Sequence, residues 1–241
     1  EGAVTIEVPL TAGAHDLEAM LSKVTDRTKI IWVCNPNNPT GTIVSDTALT
    51  TFLDSVPKQV MVVLDEAYSE YVTDLSYSDG IKLIEKYPNL VVLRTFSKIY
   101  GLAALRIGYG VANPEIITLI NQVREPFNTS RVSQVAALGA LGDQDYVQEC
   151  RRLNAAGILQ LQAEFQRLSL ESFPAHGNFI MVDVRKSAID VFEALLRKGI
   201  IIRAGHRKYP TYIRVTVGSA EQNKAFVAAL EQVLIEQEVK S

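Results

Sequence analysis

The first half of the chain alternates continuous apolar runs with amphipathic stretches. The runs are Lys29 to Cys34, Val60 to Leu64, Leu90 to Arg94 and Ile107 to Ala112. They are rich in Val, Ile and Leu and lack polar alternation, which predicts strands buried on both faces. Between them, residues 46 to 55 predict a helix opened by the capping residues Ser45 and Asp46, and residues 79 to 87 a shorter one. This βαβ rhythm predicts an α/β domain with a mostly parallel sheet covered by helices. In such sheets ligands bind beyond the carboxyl ends of the strands. Glu1-Gly2-Ala3-Val4 is followed almost at once by a further strand-like stretch, an opening that reads as a chain beginning in mid-domain.

The pattern changes at Asn113-Pro114-Glu115, a cap followed by Pro at the first helical position. A helix is predicted from there to about Arg124, before Pro126 interrupts it, and residues 130 to 170 read as one or two long helices. Short strands are predicted over Asn178 to Asp183, Ile200 to Arg203 and Tyr212 to Val217, with a helix over 188 to 198. Ser219-Ala220-Glu221-Gln222 is a capping box that opens the final helix. The expected organisation is a larger domain over residues 1–130 and a smaller α+β domain over 131–241.

Composition narrows the function classes. The 241 residues are 47% hydrophobic and 21% charged, as in a globular protein, and a net charge of −3 offers no nucleic-acid surface. No apolar run reaches the roughly 18 residues of a membrane span, and no signal segment opens the chain; the cytoplasm is the default compartment. Cys34 and Cys150 are too few for a disulfide framework, and Cys34 reads as a small buried hydrophobe. His15, His176 and His206 are far apart, lack metal-ligand spacing, and read as surface or loop residues. No Ser-His-Asp arrangement or P-loop is visible, and Gly101, Gly108 and Gly110 do not make a dinucleotide fingerprint.

Four motifs then stand out in order: Asn37-Asn38-Pro39-Thr40-Gly41, Asp65-Glu66-Ala67-Tyr68, Thr95-Phe96-Ser97-Lys98 and Arg106-Ile107-Gly108-Tyr109. Asn38, Asp65 and Lys98 each follow a strand run, so a parallel sheet collects them on one edge. Arg106 reaches the same edge if its strand runs antiparallel. Asp65 ends an apolar run, where a carboxylate is costly unless paired, and a protonated pyridine nitrogen is a suitable partner. Lys98 is the candidate amine; Arg106 is a cation that lowers such an amine's pKa and whose fork grips a phosphate. The hydroxyls of Thr95 and Ser97 are further donors to that phosphate. Tyr68 and Asn38 are candidates for hydrogen bonds to a phenolic oxygen. Together these are the groups needed to hold pyridoxal 5′-phosphate (PLP) and do amine chemistry with it. Each has a plainer alternative when taken singly: a solvated Lys98, Asp65 capping a turn, Asn38 as a turn residue before Pro39, loop-end hydroxyls. Arg214, inside the run Tyr212 to Val217, either faces outward or offers its fork to a substrate carboxylate or phosphate.

These residues resemble the fold-type I PLP-dependent aminotransferases, in the branch that handles histidinol phosphate. The resemblance extends over essentially the whole chain. It is carried by Cys34 to Gly41, Leu64 to Tyr68, Arg94 to Ala103 and Tyr212 to Gly218; Thr95 stands where serine is more common. It implies that Lys98 links covalently to PLP, with Asp65 at the ring nitrogen and Asn38 and Tyr68 at the phenolic oxygen. Thr95, Ser97 and Arg106 would hold the phosphate, and Arg214 the anionic group of the substrate. It further implies a homodimer that exchanges an amino group between histidinol phosphate and 2-oxoglutarate. Family members carry roughly a hundred residues ahead of the point matching Glu1, so the chain is expected to be part of a longer enzyme. An aromatic or broad-specificity aminotransferase, a phosphothreonine decarboxylase and a non-catalytic domain remain as alternatives.

Overall fold

The four apolar runs of the first half form one sheet in the computed structural model, which describes residues 2–238. In strand order it is β1 (Ile30–Cys34), β2 (Met61–Asp65), β3 (Leu90–Thr95) and β4 (Gly108–Ala112). β1, β2 and β3 run parallel, and β4 runs antiparallel to β3 with Thr95 opposite Gly108. The carboxyl ends of three strands and the amino end of the fourth therefore share one edge, as the motif spacing required. The sheet belongs to the first of two compact units, residues 1–38 with 42–147; the second comprises 39–41 with 148–241.

In the first unit, Val33, Val62, Leu64, Leu90 and Val92 are fully buried against Leu17 of α1 (Leu17–Ser22) and Leu49, Phe52 and Leu53 of α2 (Asp46–Ser55). Each such side chain contributes roughly 1.5–3 kcal/mol by leaving water. The helix starts are set locally. Asp16 accepts the Ala19 amide at 2.9 Å and Ser45 the Ala48 amide at 3.2 Å. Burial on both faces holds for β2 and for the first half of β3. β1 differs: Ile31 and Val33 point inward, whereas Ile30 and Trp32 are 56% and 54% exposed.

The second half of the chain contributes α3 (Pro114–Val123), α4 (Arg131–Gly142), α5 (Gln144–Arg167), β5 (Glu171–Ser172), β6 (Phe179–Asp183), α6 (Ala188–Arg197), β7 (Tyr212–Thr216) and α7 (Ala220–Glu238). β5, β6 and β7 make an antiparallel sheet in the second unit. Its core joins Ile180, Val182, Ile213 and Val215 of the sheet to Leu161 and Phe165, Val191 and Leu195, and Phe226 and Leu230 of the helices. Gly157 lets α5 lie close to β7, because a Cβ there would collide with Val217.

Several expectations need correction. The helix foreseen over 79–87 shrinks to a single 3-10 turn, Gly80–Leu83. Here the Gly80 amide is drawn to the Glu66 carboxylate at 2.8 Å, and Asp79 caps the Ile81 amide. Ile200 to Arg203 forms no strand, only a single bridge between Arg203 and Arg214. The strand-like opening has no sheet partner among the described residues. The two compact units divide after Val147, within α5, because α4 and the first residues of α5 group with the first unit. His15 lies in a loop, as expected, but is half-buried there: its Nε2 accepts the Cys34 amide at 3.2 Å and so satisfies the end of β1.

Accepting that bond requires a neutral imidazole. Burial holds the His15 pKa below its ordinary 6.5, although a hydrogen bond with Asn37 opposes the shift. The unfolded chain then binds the proton more readily, so this contribution is complete above pH 6.5 and is lost as pH falls through the lower folded value. Urea unfolding across that window should show stability falling with acidity, and His15→Gln should flatten the slope.

Candidate active site

The ladder between the strands continues past their ends and aligns the motif residues. Cys34 lies opposite Asp65 and Asp65 opposite Leu93. Beyond the paired residues, the Asn35 amide donates to the Asp65 carbonyl and the Glu66 amide to the Leu93 carbonyl, each at 2.9 Å. Asp65 then turns the chain on itself, its Oδ1 accepting the Ala67 amide at 3.1 Å. Thr95 does the same after β3, its Oγ1 accepting the Ser97 amide at 3.0 Å. The loop from Phe96 to Ile107 is closed by the Phe96 amide on the Ile107 carbonyl at 3.2 Å and the Leu102 amide on the Phe96 carbonyl at 2.9 Å. Phe96 anchors it, 3% exposed and packed on the rings of Tyr100 and Tyr109.

These turns surround a cleft of about 370 Å³ lined by Asp65, Ala67, Thr95, Ser97, Lys98 and Arg106 among others. The volume is that of a small-ligand pocket. Arg106 follows the 3-10 turn Ala103–Leu105 in left-handed backbone, φ 49°. That conformation turns its guanidinium back over the loop, where Nη1 donates to the Ala103 carbonyl at 2.7 Å and to Ser97 Oγ at 3.4 Å. Lys98 Nζ sits 5.2 Å from the centroid of the Tyr68 ring, which is itself buried. The lining thus combines a carboxylate, an amine, and a cation paired with a hydroxyl. Such a donor set suits a small ring with a basic nitrogen at one end and a doubly charged anion at the other.

Of the residues singled out from sequence, Asp65, Thr95, Ser97, Lys98 and Arg106 meet in this cleft, and Tyr68 adjoins it through Lys98. Asn38 is exposed at the end of the loop after β1, its backbone amide directed at the Cys34 sulfur. Arg214 lies in the second unit, its guanidinium 4.8 Å from the Phe179 ring centroid. Cys34 is half-buried rather than a fully buried hydrophobe, and its Sγ donates to the Pro36 carbonyl at 3.3 Å; burial first, and the Asp65 charge second, push its thiol up to about 11. Two further groups escaped the sequence reading. Arg203 exchanges both backbone hydrogen bonds with Arg214, at 3.0 and 2.8 Å, which sends the two side chains from the same face. Glu66, Arg94 and Asp79 form a charge cluster that reaches the cleft through Arg94, one of its lining residues. Its trace in the sequence is the arginine that ends an otherwise apolar strand.

The family model described as "Aminotransferase class I and II" matches residues 1–230, and the chain belongs to that family. Among its relatives, histidinol-phosphate aminotransferase of Halalkalibacterium halodurans is 54% identical over 238 residues, covering 98% of this chain and 64% of the relative. The Brevibacillus brevis enzyme of the same name is 50% identical over 235 residues, covering 97% and 65%. The chain therefore spans about two thirds of the length of the relatives it matches. The crystal structure of histidinol-phosphate aminotransferase from Sinorhizobium meliloti, solved with pyridoxal 5′-phosphate, superposes with a TM-score of 0.89 at 30% identity. That match covers 96% of this chain and 65% of the other.

The cleft depends on β4 lying flush against β3. A Cβ on Gly108 would stand 2.7 Å from the Arg94 carbonyl oxygen, which is backbone and cannot swing away. At Gly110 the nearest atom, at 3.2 Å, is a Leu93 methyl. Gly108→Ala should therefore cost about 1–3 kcal/mol in urea unfolding, and Gly110→Ala distinctly less.

Proposed function

We propose that the protein is a PLP-dependent aminotransferase that moves the amino group between L-histidinol phosphate and 2-oxoglutarate. The observation that carries this reading is the single cleft combining Asp65, Lys98 and the Ser97–Arg106 pair at the carboxyl edge of a parallel sheet. The residues fit the cofactor: Arg106 with Ser97 and Thr95 supplies charge and hydroxyls for a phosphate, and Asp65 a carboxylate for a ring nitrogen. PLP, when bound, supplies an aldehyde for the amine and a ring that draws electrons from the bond being broken.

The chain's own residues do the rest. Asp65 would face the ring nitrogen and, held by the turn it makes at the end of β2, would favour a proton there without reorganising. Lys98 would hold the cofactor's aldehyde through its Nζ, and the same amine, when free, would serve as the base that takes and returns the substrate's proton. Tyr68 and Asn38 serve the phenolic oxygen. Arg214 suits an anion of either geometry, the carboxylate of glutamate or the phosphate of histidinol phosphate. The substrate assignment is supported by the names of relatives at about half identity. We further propose a homodimer working in the cytoplasm. Both cysteines are free thiols, as in a reducing compartment. Val132, Val135 and Leu138 leave an exposed apolar stripe on α4 of the kind a second copy buries.

Added PLP should give a band near about 420 nm that borohydride fixes to the protein, and Lys98→Ala should lose both band and turnover. Retained turnover in Lys98→Ala removes the catalytic assignment. Steady-state rates should favour histidinol phosphate over phenylalanine and phosphothreonine; a dominant preference for either of the latter removes the substrate assignment. Arg106→Gly should separate charge from backbone. Relief of the left-handed strain offsets lost bonds, keeping stability within about 1 kcal/mol. PLP affinity should still drop about tenfold or more, because charged hydrogen bonds are lost.

A further inference from the structure

We propose that Glu66 is a positioning residue which, with Tyr77 and Arg94, ties the loops after β1, β2 and β3 into one rigid frame and so sets Asp65 relative to Lys98. The cofactor part of this inference rests on the reading given under Proposed function; the mechanical part stands on the hydrogen bonds alone.

Glu66 is fully buried next to Asp65 and does not itself line the cleft. Its Oε1 accepts the Gly80 amide at 2.8 Å, and its Oε2 accepts Arg94 Nε at 3.0 Å and Nη2 at 2.6 Å. Arg94 directly precedes Thr95, the first residue of the anion-binding end of the cleft. Its Nη2 also donates to Asp79 at 2.5 Å, and Asp79 holds the turn from which the Gly80 amide comes. The Tyr77 hydroxyl donates to the Asn35 carbonyl at 3.0 Å, near enough to the Glu66 carboxylate to feel its charge. Tyr77 itself lies on the connection after β2, so this bond ties that connection to the loop after β1. Burial, and then the Glu66 charge, push the Tyr77 pKa upward and keep that proton in place. Asn35 passes the constraint on: its Oδ1 accepts the Val44 amide at 3.0 Å and its Nδ2 donates to the Val44 carbonyl at 3.3 Å, closing the loop that presents Asn38.

A buried ion pair is a poor source of stability, because the cost of removing two charges from water cancels most of their attraction; its attested use is to specify an arrangement. Desolvation acts on Glu66 here and raises its pKa against the pull of Arg94. The arrangement specified is one in which each strand-end loop carries a motif residue within three positions of a network residue: Asn38 of Asn35, and the cleft residues Asp65 of Glu66 and Thr95 of Arg94. Sites of this kind work only when their groups are held to within about half an ångström.

The test compares wild type with Tyr77→Phe, Glu66→Gln and the charge-balanced Glu66→Gln/Arg94→Met pair. The first readout needs no cofactor. Amide hydrogen exchange should speed up together at Val44, Ala67 and Ser97, one on each loop, in Tyr77→Phe and Glu66→Gln. Acceleration limited to Gly80, the amide that loses its own acceptor, overturns the inference. The second readout is PLP itself. Its dissociation constant should rise about tenfold in Glu66→Gln, the loss usual when a supporting hydrogen bond is removed from a site. The titration midpoint of the band near about 420 nm should also shift. In the charge-balanced pair the unfolding temperature should recover while affinity and midpoint do not. Wild-type affinity and midpoint in the variants reduce the network to a purely structural one. A wild-type protein without the band overturns the cofactor reading instead and leaves the exchange result to judge the network.

Discussion

Parallel pairing of β1, β2 and β3 is the constraint from which everything else in the first unit follows. Parallel strands deliver all their carboxyl ends to one edge, so residues separated by some sixty positions in sequence, such as Asn38 and Lys98, arrive there without any long-range recognition of their own. The antiparallel β4 completes the arrangement from the opposite direction, bringing Arg106 back to the edge that Thr95 has just left. The price of that edge is a set of backbone groups beyond the last ladder bonds. Asp65, Thr95 and His15 each satisfy one such amide with a side chain.

Much of this was legible in the sequence because it rests on local rules. Continuous Val, Ile and Leu in β2 and β3 announced strands covered on both sides, and a Ser or Asp before α2 announced its start. The motif residues could be assigned to one edge because each directly follows a strand. What stayed illegible depends on contacts distant in sequence. The segment 79–87 has the composition of a helix, but the Glu66 carboxylate, fourteen positions back, captures the Gly80 amide and leaves only one turn. Ile200 to Arg203 looks like a strand, but its only pairing is the bridge to Arg214. β1 reads as a doubly buried strand, and in the described residues one of its faces is open.

The same distinction separates the cleft residues from those that hold them. Lys98, Asp65 and Arg106 carry chemistry recognisable from residue type and position. Tyr77 has no such mark; its part appears only when its hydroxyl is seen to donate to the Asn35 carbonyl. Nothing about Arg94 singles it out except a charge at the end of an apolar run, and its partner is on the neighbouring strand. Supporting residues of this sort are invisible to motif reading because what matters is the atom they touch, and that atom belongs to another segment.

The order of the two acids at the end of β2 has a consequence for how the sheet assembles. Successive side chains along a strand leave opposite faces, so Asp65 opens on solvent and Glu66 on the interior. Sliding β2 by one position would exchange them. The wrong carboxylate would meet the guanidinium of Arg94, one methylene too short to reach it, and the longer acid would be stranded in the opening. Two neighbouring acids of unequal length thus act as a vernier, admitting one alignment of the strand and rejecting the next.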